Sequence, residues 1–198
     1  MCRRREPRRA LLAFAHCTHL TDNWALYGVN VEELSYRFRT AGPEDLPQLR
    51  QLSWSTVAHP EGRAKRESYR AAVQRGELLV LERMDHKHRD WNVSAFVDWH
   101  MRVDDVLTIR DAGTEGEVPH SGMVKQLMME LISSLSPTEI TLKTRADVPH
   151  WNDIIYSIPG FELEGSEYRR PYWINVWRWT RELAAAAARA GRGPRPRR

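Results

Sequence analysis

The chain has 198 residues, 41% hydrophobic and 28% charged, which is the size and composition of one globular domain with tails, able to bury a core without disulfides or a structural metal. No apolar run approaches the ~18 residues of a membrane-spanning helix, and two cysteines, Cys2 and Cys17, make no disulfide framework, so a cytoplasmic protein is expected. The formal charge of +4 sits at the ends: five arginines against one glutamate in residues 1–9, six against one in residues 181–198, leaving a body with a net charge of −5.

Residues 1–34 show no sustained period and read as a basic, partly disordered extension. His16, Cys17 and His19 match no zinc spacing and lack a fourth ligand, so no metal is expected there. Tyr36 to Thr40 alternates aromatic and basic residues, the mark of a half-buried strand. Pro43, Glu44 and Asp45 make a good first helical turn, and Leu46, Leu49 and Leu52 extend it to about Thr56. After the loop at His59, Pro60 and Gly62, a polar helix over Arg63–Arg75 closes at Gly76.

Leu78–Leu81 reads as a short strand, and the polar stretch from Asp85 to Asp90, with solvated His86 and His88, turns it into a second strand at Asn92–Met101. Asp104 and Asp105 form the next turn, before a strand at Val106–Asp111 and a loop from Gly113 to His120. Val124, Leu127, Met128, Leu131, Ile132 and Leu135 make one apolar helical stripe, capped by Ser121 and stopped by Pro137. A strand over Ile140, Leu142 and Thr144 follows, then a short helix from Pro149 to Ser157. Phe161–Leu163 begins a strand ending in a turn at Gly165, and Tyr172–Trp179 alternates as the last strand. Trp99, Trp173 and Trp177 read as packing residues. Ala184–Ala188 extends a helix into a tail, residues 181–198, whose glycines and prolines signal disorder.

Three successive strands joined by tight turns imply antiparallel pairing, and the strand–helix–strand unit around the long apolar helix implies a parallel crossover. The expected fold is α/β: a mixed, mostly antiparallel, twisted sheet flanked by helices over residues 35–180. Neither a Walker loop, a Gly-x-Ser-x-Gly elbow nor a Cys-x-x-Cys pair occurs.

Several local signatures fall in a shared order. Tyr36-Arg37-Phe38-Arg39-Thr40-Ala41 precedes Pro43-Glu44-Asp45-Leu46; Tyr156-Ser157-Ile158-Pro159-Gly160-Phe161 lies near the carboxyl end; Gly165 and a Trp-rich strand close the domain. Together they resemble the GNAT N-acetyltransferase superfamily over Tyr36 to Trp179. The resemblance implies acetyl-CoA as co-substrate, its pyrophosphate held by an Arg/Gln-x-x-Gly-x-Gly/Ala loop opening the third helix, where glycines admit the phosphates to backbone N–H groups. That loop is degenerate here. Aligned on the apolar stripe, Pro119 replaces the basic residue, Gly122 is the first glycine and Val124 stands at the second. Shifted by two, Gly122 becomes the second glycine, with Glu117 and His120 at the other positions.

By the same resemblance Ser121, Gly122, Met123, Val124 and Lys125 would hold the pyrophosphate, backbone at Asp111 and Ala112 would align the pantetheine, and Tyr156 would protonate the departing thiolate. Asn is frequent in the family seven residues before that tyrosine, and here Pro149 stands there. The general base stays open among Asp111, Glu115, Glu117 and His120. The expected activity is acetyl transfer to a small-molecule or protein amine within a ternary complex. The competing readings are a noncatalytic module that kept the fold, and a protein touching nucleic acid weakly through its Arg-rich tails. No membrane contact is expected, and an aromatic strand at a sheet edge would invite a homodimer.

Overall fold

A computed structural model of the chain describes residues 36–52, 62–85, 89–116 and 121–189. Among the described residues thirteen elements follow one another, of which twelve carry the fold: β1 (Tyr36–Thr40), α1 (Leu46–Leu52), α2 (Gly62–Arg75), β2 (Leu78–Asp85), β3 (Asp90–Met101), β4 (Val106–Thr114), α3 (Ser121–Leu135), β5 (Glu139–Arg145), α4 (Pro149–Ser157), β6 (Phe161–Arg169), β7 (Tyr172–Thr180) and α5 (Arg181–Arg189). The remaining one is a 3-10 turn at Pro43–Asp45 that leads into α1. The seven strands form one sheet in the order β1-β2-β3-β4-β5-β7-β6. Every neighbouring pair is antiparallel except β4 and β5, the crossover expected around the long apolar helix.

Each face of the sheet carries its own core. Val124, Leu127, Met128 and Leu131 of α3 and Trp151, Ile154 and Ile155 of α4 pack with Leu107, Ile109, Ile140, Trp177 and Trp179 of the strands. On the opposite face Leu49, Leu52, Tyr69 and Ala72 of α1 and α2 meet Leu78, Val80, Val93 and Phe96. The Tyr69 and Phe96 rings pack edge to face, 5.3 Å between centroids.

The ends of the elements follow local chemistry. Gly76, at φ +70, closes α2 while its N–H bonds Val73 O at 3.0 Å and the N–H of Glu77 bonds Ala72 O at 2.9 Å. That pair of bonds is the left-handed glycine stop expected from sequence. After β1, the Gly42 N–H donates to Asp45 Oδ2 at 2.7 Å, and Arg39 grips the same carboxylate through both arms at 2.6 and 2.7 Å. The same guanidinium reaches the buried Glu82 at 2.7 Å, so one cation holds β1, β2 and the entry to α1. Pro149 occupies the first turn of α4, where no intrahelical N–H is needed.

Four expectations need correction. Gly113 and Thr114 belong to β4 rather than to a loop, because they pair with Phe96 and Ala95. Gly165 is no turn: it lies inside β6, opposite Val176, beside the irregularity that leaves Glu164 unmatched, and the hairpin turns at Arg170–Pro171 instead. Trp173 is 57% exposed, its ring lying 5.5 Å from that of Tyr168 on the surface rather than in the core. The tail expected from residue 181 begins as α5, capped by Thr180 Oγ1 on the Leu183 N–H at 3.2 Å and tied down by Arg181 on Pro137 O at 3.1 Å. Residues 1–35 and 190–198, with Cys2, His16, Cys17 and the arginines of both arms, and His86 and His88, lie outside the described residues. Among the described residues no helix is long and apolar enough to cross a membrane, and no group of three ligating side chains could hold a metal.

Candidate functional site

The parallel ladder between β4 and β5 is short. It joins Val106–Ile109 to Glu139–Leu142, after which β4 runs on to Thr114 and β5 to Arg145 without further register. A bulge marks the point where it stops: β3 and β4 step from Trp99↔Ile109 to Asp98↔Asp111, so Arg110 is the extra residue of β4. A bulge reverses the side-chain alternation that follows it. Leu107 and Ile109 therefore face α3, as does Ala112, whereas Asp111 turns to the α1/α2 face.

On that face lies a buried polar cluster. The Tyr69 hydroxyl donates to Asp111 Oδ2, and the Ala112 N–H lies 3.0 Å from Asp111 Oδ1. Across the register stands Asp98, 1% exposed. Its Oδ1 accepts from Arg110 Nε at 3.0 Å, and its Oδ2 has no partner. Burial pushes the Asp98 carboxyl up to about 6; Arg110 pulls it down, and Asp111 and Glu77 push it further up. Arg110 also reaches Glu77 and Trp99 O, each at 2.7 Å. Glu77 in turn takes Arg75 at 2.6 Å and stands 2.7 Å from His100 Nδ1. Burial raises the Glu77 carboxyl, but the bonds from Arg75, His100 and Arg110 outweigh it and hold it below the usual range.

At the start of α3 the first-turn N–H groups have no partner within the helix. Met123 and Val124 turn their side chains into the core, together with Ala112; Gly122 is half-buried and Lys125 is exposed. Ser121 opens the helix. Glu117, Pro119 and His120 lie outside the described residues, and Glu115 pairs with Arg83 at 3.1 Å on the surface.

Tyr156 is 38% exposed in the last turn of α4. One turn earlier, Asn152 locks that helix to the sheet: its amide donates to Arg145 O and Val148 O, each at 2.9 Å, and its oxygen accepts from Thr144 and Asn175 at 2.5 and 3.0 Å. Trp177 Nε1 completes the network on Thr144 Oγ1 at 2.8 Å. With both amide hydrogens and its oxygen engaged, Asn152 is held in one geometry.

The structure thus brings Ala112, Met123 and Val124 together under α3, sets Asp111 apart on the opposite face, and leaves Lys125 and Tyr156 at the surface. Sequence reasoning passed over Asp98, Tyr69, Arg110 and Asn152. One signal for Asp98 was available: it sits at an inward phase of a strand whose preceding residues, Ala95, Phe96 and Val97, are all apolar.

No protein-family model matches the chain, and no curated protein matches it by sequence. Solved structures do. A GNAT-family acetyltransferase from Bacillus cereus superposes with a TM-score of 0.55 at 12% identity, covering 73% of this chain and 96% of its own. Spermidine N-acetyltransferase from Vibrio cholerae, solved with CoA and spermine, gives 0.56 at 13% identity over 76% and 98%. RimL, a ribosomal L7/L12 alpha-N-protein acetyltransferase, gives 0.55 at 15% identity over 73% and 90%. The chain has the GNAT fold.

Proposed function

We propose that the chain, a protein of the GNAT fold, is an N-acetyltransferase that moves an acetyl group from acetyl-CoA to an amine by direct transfer in a ternary complex. The observation that carries this reading is the parallel ladder that stops at Ile109 and Leu142 while both strands continue. A strand that has left its neighbour can pair with an extended amide chain, which is what a pantetheine arm offers to backbone at Asp111 and Ala112.

The donor set at α3 fits a pyrophosphate. Ser121, Gly122, Met123 and Val124 carry the first-turn N–H groups, at the positive end of a 15-residue helix. The buried side chains of Met123 and Val124 stay out of the way, and Lys125 supplies an exposed cation in place of the missing arginine or glutamine. Bound acetyl-CoA supplies the activated thioester. Tyr156, held on a helix that Asn152 anchors, protonates the departing sulfur.

The acceptor is an amine on a small molecule or a protein; the acidic body favours a cationic one. Spermidine and a protein amino terminus, the acceptors named for two of the similar structures, mark the two ends of that range.

Calorimetric titration of acetyl-CoA into the full chain tests the reading, with Gly122→Glu and Tyr156→Phe as variants. Saturable binding is expected in the wild type, lost when Gly122→Glu sets a carboxylate against the phosphates. Tyr156→Phe should keep that affinity and lose about a hundredfold in kcat. No binding at millimolar acetyl-CoA would refute the reading and leave a noncatalytic module.

A further inference from the structure

Direct transfer to an amine that is protonated at neutral pH requires a group to take its proton, and of the positions expected for that group from sequence the two that lie among the described residues are already engaged. Asp111 has both carboxylate oxygens engaged, one by Tyr69 and one by the Ala112 N–H, and Glu115 is a surface partner of Arg83. We infer that Asp98 receives the acceptor: its Oδ2 accepts a hydrogen bond from the incoming ammonium and then takes the proton, making it the general base of the reaction. The inference rests on the acetyltransferase reading above and names the residue that reading leaves open.

Three observations converge on Asp98. First, its Oδ2 is a buried carboxylate oxygen without a partner, although its Oδ1 is held by Arg110 at 3.0 Å and the side chain is 1% exposed. Folded proteins rarely leave such an atom bare, and the N–H of an incoming ammonium would satisfy it. Second, Asp98 pairs with Asp111 in the step next to Trp99↔Ile109, where β4 leaves β5. A thioester lying along the parted strands therefore has this carboxylate within a step or two of the sheet ladder. Third, Asp98 sits on the α1/α2 face: Phe96, two residues earlier on the same strand, packs on Tyr69 of α2. The proposed pyrophosphate donors belong to α3, on the other face, so acceptor and acetyl-CoA can reach the transfer point without occupying the same space, as a ternary complex requires.

The surroundings suit a base. Arg110 and Asp111 face Asp98 from β4 and Glu77 from the turn after α2; burial dominates and sets the carboxyl at about 6, high enough to hold a proton and low enough to be ionised at neutral pH. The nitrogen loses two protons in the reaction. One passes to Asp98 and then to solvent. The lone pair so released forms the C–N bond to the thioester carbonyl carbon, the C–S bond breaks with its electrons on sulfur, and the second proton reaches sulfur through Tyr156.

The experiment follows thiol release from acetyl-CoA by the full chain between pH 5 and 9, with spermidine, benzylamine and a peptide with a free amino terminus as acceptors. For the acceptor turned over, kcat/KM is expected to rise tenfold per pH unit up to about pH 6 and then to level. Asp98→Asn, which keeps an acceptor for Arg110 but cannot take a proton, should lose at least about a hundredfold at pH 7.5, shed the acidic limb and keep the wild-type affinity for acetyl-CoA. A wild-type profile that is flat below pH 7, or an Asp98→Asn enzyme within threefold of wild type, overturns the role of Asp98 and leaves acetyl transfer standing. Failure of the wild type to acetylate any of the three amines while binding acetyl-CoA overturns the acetyl-transfer reading, and the assignment of Asp98 with it. The wild-type profile decides the matter even if the variant folds poorly.

Discussion

Replacing Gly113 by alanine should destabilise the protein although alanine is the better strand residue. An added Cβ would stand 2.2 Å from Leu52 O, 3.0 Å from Leu52 C and 2.5 Å from Phe96 Cε1. Two of those atoms are α1 backbone, so no rotamer change relieves the overlap, and α1 must lift from β4. Overpacking of that kind costs about 1–3 kcal/mol, and contact with backbone puts this case at the upper end. In a protein of this size a loss of about 3 kcal/mol lowers Tm by roughly 6–12 °C. Gly165 provides the opposite control. Nothing lies within 4 Å of its added Cβ, so Gly165→Ala should gain about 0.5 kcal/mol by restricting the unfolded chain. Thermal unfolding of both variants, followed by circular dichroism, should therefore move in opposite directions. A cycle with Phe96→Leu separates the two contacts: if α1 backbone is the barrier, trimming the ring recovers less than about 1 kcal/mol of the Gly113→Ala cost. An unchanged Tm for Gly113→Ala, or full rescue by Phe96→Leu, would refute the claim that α1 backbone rests on β4.

Arg39→Met should cost about 3 kcal/mol in urea unfolding, because it strips the shared cation from Asp45 and Glu82, which are 4% and 3% exposed; a loss below 1 kcal/mol would show that Arg37 and the Gly42 N–H suffice. Asp98 has a folded pKa of about 6, above its unfolded value, so its contribution is fully present below about pH 4 and is lost as pH rises through 6, reaching about 3 kcal/mol. The stability difference between Asp98→Asn and wild type should shift by that amount in favour of the variant between pH 4 and 7.5, and a pH-independent difference in urea midpoints would contradict it.

The parts legible in sequence were those set by period and punctuation. The α3 stripe, the glycine stop of α2 and the bounds of α4 all rest on interactions within a few residues, and each appears where the pattern put it. What failed depends on partners far along the chain. Thr114 looks like loop because it follows glycine, yet it pairs with Ala95 of β3. Gly165 looks like a turn, yet β7 holds it in strand register opposite Val176. Asp111 follows Leu107 and Ile109 at even spacing and should share their face; only the mismatch with β3 at Arg110 sends it to the other side. The cluster around Asp98 was hidden for the same reason, since its members come from β3, β4, α2 and the turn after α2 and are joined only once the register is known.

In the register aligned on the apolar stripe, the departure that weighs most against cofactor binding, valine for the second glycine, changes its meaning once the helix is placed. A glycine is needed in a phosphate loop when a side chain would stand between backbone N–H and phosphate. Val124 is 0% exposed and packs in the core with Ala112 and Leu127, so its side chain points away from any ligand at the helix end, and its N–H remains a first-turn donor. Gly122, by contrast, is half-buried at the opening of the helix. With Val124 turned inward, Gly122 is the one of the two positions not packed in the core, which suits the acetyl-CoA reading proposed above. In that register the loss that remains is one of charge, since Pro119 stands where the family has arginine or glutamine; on the reading proposed above the exposed Lys125 would offset it.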